Sequence, residues 1–172
     1  MMPAPQQPLP PPLTPAKATA NRALQLTFYR TTGNSQQRAE ALRIGALMCW
    51  DAAMDVAQAA GGIQNRANIQ GLQFNRMFPP VQPLPVVPNA QAATALPVGC
   101  FVGFIEPPAP QLVHVMIHVG VGWAAGTNNG SMFPANPGGL WQLINLTSFF
   151  GSLPQTQRGI QMIYRPVNGT GL

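Results

Sequence analysis

The sequence predicts an α+β fold in which a helical region packs against an antiparallel meander. Three observations carry this prediction. Residues Ser35 to Ala60 contain no proline, are rich in Ala, Leu and Met, and end at Gly61-Gly62, a helix stop. From Val98 onward, short apolar runs with β-branched and aromatic members alternate with Gly- and Pro-containing turns. At 172 residues and 46% apolar, the chain can fill one core but is short for two.

Seven of the first fifteen residues are proline, which removes backbone donors and favours an extended chain. Residues 1–20 are therefore expected to be a proline-rich leader or linker, and 21–172 the folded domain. Leu24 to Tyr29 alternates, with Leu24, Leu26 and Phe28 on one face, and reads as a short strand. Ser35 is the expected N-cap of the helical region. Gly45 leaves two readings open there. One helix runs unbroken and Cys49 is a small buried apolar residue, or the helix breaks near Gly45 and a new one from about Leu47 carries Cys49 in its first turn. Gly61 to Leu96, with five prolines between Pro79 and Pro88, reads as a long irregular connection. Val98–Ile105 and Leu112–Val121 read as strands joined by a turn at Glu106–Gln111, and Gly122–Ala125 opens a third. Asn145–Leu153 fits either helix or strand. Gly159–Arg165 reads as the last strand.

Composition narrows the chemistry. Only 8% of residues are charged, and the nine Lys and Arg are scattered singly, so no nucleic-acid surface is expected. No run of 18 apolar residues suggests a membrane-spanning helix, and the N-terminus lacks the basic start and apolar stretch of a secretory signal. Four acids give little scope for paired-carboxylate catalysis. Two His and two Cys without HExxH or CxxC spacing predict no metal and no cofactor. Cys49 and Cys100 sit in dissimilar contexts and are not expected to pair.

Thiol chemistry remains. A cysteine in the first turn of a helix gains thiolate character from the exposed N–H groups and the dipole. Cys100, inside an apolar strand-like run, is expected in the core. In the run His114-Val-Met-Ile-His118, the two histidines and Met116 share one strand face, while Val113, Val115, Ile117 and Val119 share the other. A general base must lie within hydrogen-bond reach of its nucleophile. A strand packed on the Cys49 helix offers that.

These residues resemble a known group. LPVGCFVGF followed by HVMIHVGVGWAAGTNN is similar to the core of the NlpC-type and CHAP-type members of the papain-like cysteine peptidase superfamily. There a strand of the form pGDlvfF leads through a hairpin into HVgIYlGnG, and a polar third residue follows about a dozen positions after the His. Cys49-Trp50-Asp51-Ala52-Ala53 resembles the helix-borne nucleophile of that superfamily. The resemblance implies a papain-like domain with Cys49 as nucleophile, His114 as base, and Asn128 or Asn129 orienting the imidazole, with His118 as a neighbour. Trp50, Trp123 and His118 become candidates for substrate contact. The chain departs from the pattern at Cys100, where the family has Asp, at Met116, where it has Gly, and before Cys49, where no Asn or Asp stands.

The implied activity is cysteine-dependent amide hydrolysis, with the backbone N–H of Cys49 helping to hold the oxyanion. The substrate would be peptidoglycan peptides or a protein that is cut or deamidated. With the proline-rich start and no secretory signal, this suggests a bacterial effector or toxin domain delivered by a specialised system to a competitor's periplasm or a host cytosol, partnered by a cognate immunity protein. A rival class is a non-catalytic binding or scaffold module on the same fold, which predicts Cys49 buried and far from His114. Acyl transfer to a lipid or amine is a third, and predicts a membrane-facing apolar patch beside the site.

Overall fold

The computed structural model describes residues 12–64, 78, 85–108 and 111–167. Five strands, β1 (Phe101–Glu106), β2 (Gln111–Gly120), β3 (Trp123–Thr127), β4 (Trp141–Asn145) and β5 (Gln161–Arg165), form one sheet in the order β4-β3-β2-β1-β5. Every neighbouring pair is antiparallel. Helices α1 (Pro15–Thr32), α2 (Ser35–Gly45) and α3 (Cys49–Ala59) pack on the sheet. A short α4 (Ala90–Thr94) lies against a 3-10 helix (Leu146–Phe149), and α5 (Leu153–Arg158) leads into β5. The architecture is the mixed α+β arrangement with an antiparallel sheet that the periodicity predicts. Most of the expected long connection, 65–77 and 79–84, lies outside the described residues, as does the proline-rich stretch 1–11.

The expected strand at Leu24–Tyr29 is helical. Thr14 caps α1 by accepting from the Lys17 N–H, Pro15 takes the first turn, and Thr19, Ala20, Ala23 and Leu26 form the buried stripe. That stripe recurs at three- to four-residue spacing, the helical period. The alternation of Leu24, Leu26 and Phe28 is incidental, since Leu26 is buried and Phe28 is exposed. α1 accordingly starts at Pro15, inside the stretch 1–20 expected to be a leader or linker.

The helical region from 35 to 60 divides. Asn34, one residue before the expected cap, closes a capping box with Gln37, and α2 ends at Gly45. A Cβ at Gly45 would sit 2.9 Å from the backbone nitrogen of Trp141, so only glycine lets α2 end this close to β4. The chain turns through Ala46–Met48 and restarts at Cys49.

Strand alternation sorts the core into two clusters. Val115 and Ile117 pack with Ala52, Ala53 and Val56 of α3 and with Ala23 and Leu26 of α1. On the other face, Met116, Val102 and Phe104 pack with Met132, Phe133, Leu146 and Phe149. The undecided stretch 145–153 becomes the 3-10 helix, which covers this second face. β4, which precedes it, has no counterpart in the sequence reading. Trp141 opens it, fully buried, and donates its indole N–H to the Ala23 carbonyl at 2.9 Å.

At the other end of the sheet, β2 and β3 join through Val121 and Gly122, with φ of +48° and +75°. Positive φ at both central residues defines a type I′ turn, which Asn-Gly fits far better than a β-branched residue. Val121→Asn should therefore raise stability by about 1 kcal/mol, seen as a rise in Tm of about 3 °C. An unchanged or lowered Tm would mean that the valine relieves its strain in some other way.

Candidate functional site

A cleft of about 500 Å³ opens where the α2–α3 junction meets the start of β2 and the end of β3. Gly45–Trp50 form one wall, Val113 and Thr127 the floor, and Asn128–Gly130 with Gly138 and Gly139 the opposite wall. The Thr127 hydroxyl donates to the Ile44 carbonyl at 3.3 Å, tying floor to wall.

Cys49 stands at the first position of α3, facing this cleft and only 7% exposed. Burial pushes its thiol up to about 11. Hydrogen bonds from the backbone at Val115, Trp50 and Cys49 oppose that rise, and the Asp51 charge adds to it. Desolvation outweighs the helix N-terminus, so the sulfur stays protonated at neutral pH.

His114 does not meet Cys49. Its strand neighbour Val115 points to α3, so the imidazole points through the sheet into the second cluster, fully buried. Its ring lies 5.7 Å from that of Phe104 and 6.0 Å from that of Phe133. Neither ring nitrogen has a hydrogen-bond partner among the described residues. Burial alone lowers its pKa to about 3. The expected nucleophile and base thus face opposite layers. The reason is packing: the Ala- and Val-rich face of α3 takes the apolar side of β2, Val115 and Ile117.

His118 is also buried on the second face, with Nδ1 3.2 Å from the Pro97 carbonyl and Nε2 accepting from the Gly122 N–H at 3.3 Å. It fastens the β2–β3 turn to the Pro97 segment and does not line the cleft. Trp123 sits beside that turn, at the far end of the sheet from the cleft. Trp50 does line the cleft, half-buried.

Asn128 and Asn129 both reach the cleft, with other roles than orienting a histidine. The Asn128 amide donates to the carbonyls of Phe133, Asn136 and Pro137 at 2.9–3.3 Å. Its backbone exchanges hydrogen bonds with Leu140 and Gly139, closing the 128–140 loop that forms the glycine wall. Asn129 donates to the Val113 carbonyl at 3.3 Å and accepts from the backbone and hydroxyl of Ser131. The structure therefore gathers Cys49, Trp50, Asn128 and Asn129 and leaves out His114, His118 and Trp123.

Three features of the cleft escaped the sequence reading. Met48 is exposed on its rim, Val113 lies on its floor, and Gly130, Gly138 and Gly139 leave its far wall bare. A Cβ at Gly130 or Gly139 would meet nothing within 4 Å. The one available signal was the density of glycine between Gly126 and Gly139. Cys49 and Cys100 are both free and belong to opposite faces of the sheet. Among the described residues, no group of three His, Cys, Asp or Glu side chains is placed to hold a metal ion.

The fold and cleft define a mixed α+β domain with an uncharged, glycine-walled cleft at the start of a cysteine-bearing helix. Comparison with protein-family models, curated proteins and solved structures finds no significant match to this chain.

Proposed function

We propose that this protein is a non-catalytic binding module that holds an uncharged polypeptide segment, inserted by an apolar side chain, in the Cys49–Gly139 cleft. One observation carries the reading. Among the described residues lining the cleft, Cys49 has the only titratable side chain, and burial keeps it a thiol while both imidazoles lie across the sheet. Acyl transfer from an amide needs a proton shuttle within reach of the nucleophile. Among the described residues, the cleft holds none. It offers apolar contact from Leu47, Met48, Trp50 and Val113, beside exposed backbone at the glycines and the Asn129 amide. That mixture matches a peptide, which presents N–H and C=O groups between apolar side chains. The layout, a thiol at a helix start packed on an antiparallel sheet, is in keeping with a papain-like ancestry in which the base has been lost.

One observation favours thiol-dependent hydrolysis as a second reading: backbone groups of Val115 and Trp50 hydrogen-bond to the sulfur and draw its pKa down against burial, as an activated thiolate would require. A single experiment separates the two. The capped peptide acetyl-Ala-Leu-Ala-Ala-amide is titrated into the protein while the Met48 methyl and Trp50 indole signals are followed by NMR and released ammonia or amine is assayed. Shifts at Met48 and Trp50, abolished by Gly130→Leu and without release of product, are expected. Product release that disappears in Cys49→Ala would restore the hydrolase, and purified peptidoglycan run in parallel would show whether it was the substrate. Absence of any shift would refute the binding role.

A further inference from the structure

The end of the molecule opposite the cleft carries an exposed apolar cluster that the binding reading does not use. Val121, at the tip of the β2–β3 hairpin, is 80% exposed in a left-handed backbone conformation that disfavours valine. Trp123, paired with Gly120 across the hairpin, is 41% exposed, and Val98 is 42% exposed. The Val98 side chain lies 3.9 Å from where a Gly120 Cβ would stand, so these residues adjoin. The first turn of α1 stands beside them, since a Cβ at Gly99 would fall 1.9 Å from the Ala16 carbonyl oxygen. That turn adds the exposed Lys17 cation, and Leu13, just before the Thr14 cap, is exposed as well.

None of the chain's four acids belongs to these segments. Glu40 pairs with Arg22, Asp55 with Arg43 and Glu106 with Arg158, and Asp51 lies at the cleft end of α3. A strained, water-exposed valine carries a folding cost with no packing gain in return, which marks a position kept for contact with something else. A tryptophan beside it suits the boundary between headgroups and acyl chains, and a cation without a neighbouring acid suits negative headgroups. The chain's net charge of +5 adds long-range attraction of the same sign.

We infer that the Val121–Trp123 tip, with Val98, Leu13 and Lys17, docks the protein peripherally on an anionic lipid surface. No helix among the described residues is long and apolar enough to cross a membrane, so the contact is a shallow insertion of the tip. The cleft, at the other end of β2, would then face away from the lipid.

The test is sedimentation of the full chain with vesicles of phosphatidylcholine alone and of phosphatidylcholine mixed with phosphatidylglycerol. The chain should partition onto the mixed vesicles and only weakly onto the neutral ones. Val121→Asn should lower partition about ten-fold, although it suits the turn better and leaves folding intact. Lys17→Gln should lower it about five-fold on mixed vesicles. Equal partition of Val121→Asn and the parent chain would overturn the proposal. So would equal partition onto both vesicle types, or onto neither, the last pointing to a protein partner for the tip.

Discussion

Iodoacetamide should alkylate Cys49 in the folded chain about 100-fold more slowly than a free thiol near neutral pH. Only the thiolate reacts, and burial that lifts the thiol to about 11 removes roughly two powers of ten of thiolate relative to an ordinary cysteine. Restricted access slows the reaction further, since Cys49 is nearly closed to solvent. Cys100, buried on the other face and pushed up to about 12, should be protected too, so the sites are resolved by mapping the alkylated peptides. In urea both should react at the free rate. Labelling of Cys49 at pH 6 as fast as in urea would show an activated thiolate and favour the hydrolase.

His114→Leu should make the protein more stable, and the gain should grow as the solution is acidified. Burial lowers the His114 pKa to about 3 from an ordinary 6.5, so the fold accepts only the neutral ring. Its contribution is present in full above pH 6.5 and is lost as pH falls from there toward 3, because the unfolded chain takes up a proton that the folded chain refuses. The slope is about 1.4 kcal/mol per pH unit, giving about 3 kcal/mol by pH 4. His118, also lowered by burial but partly supported by its Pro97 hydrogen bond, steepens the same limb. At neutral pH, leucine removes two buried nitrogens that have no partner among the described residues, worth about 1–3 kcal/mol. Urea titrations of both proteins across this range give the comparison. Parallel acid limbs would mean that the ring finds a partner.

Much of the sheet was legible because β-branched runs with period two admit few alternatives. β1, β2, β3 and β5 lie within two or three residues of their predicted bounds. α1 was missed because alanine and threonine supply most of its buried stripe, and these weigh little in a hydropathy pattern dominated by Leu24, Leu26 and Phe28. The break at Gly45 was readable as one of two outcomes. What decided it, contact with the Trp141 backbone, lies about a hundred positions away. At the candidate site, the alternation correctly put His114, Met116 and His118 on one face of β2. Which face meets α3 depended on the second layer, built from Met132, Phe133 and Phe149, and those residues carry no periodicity that announces a layer. The resemblance to papain-like enzymes implied Cys49, His114 and the asparagines together; the fold gathers Cys49 with Asn128 and Asn129 and places His114 across the sheet, against Phe104 and Phe133.

The bond from the Trp141 indole to the Ala23 carbonyl joins residues 118 positions apart. A ribosome adding about 5–20 residues per second needs on the order of ten seconds between them. During that interval the first helix can pack only on α2 and α3, because the strands that complete its Ala23–Leu26 contacts are still being made. Synthesis of this protein thus includes a stage at which α1 has formed its contacts with the helices that follow it but still lacks those with the sheet.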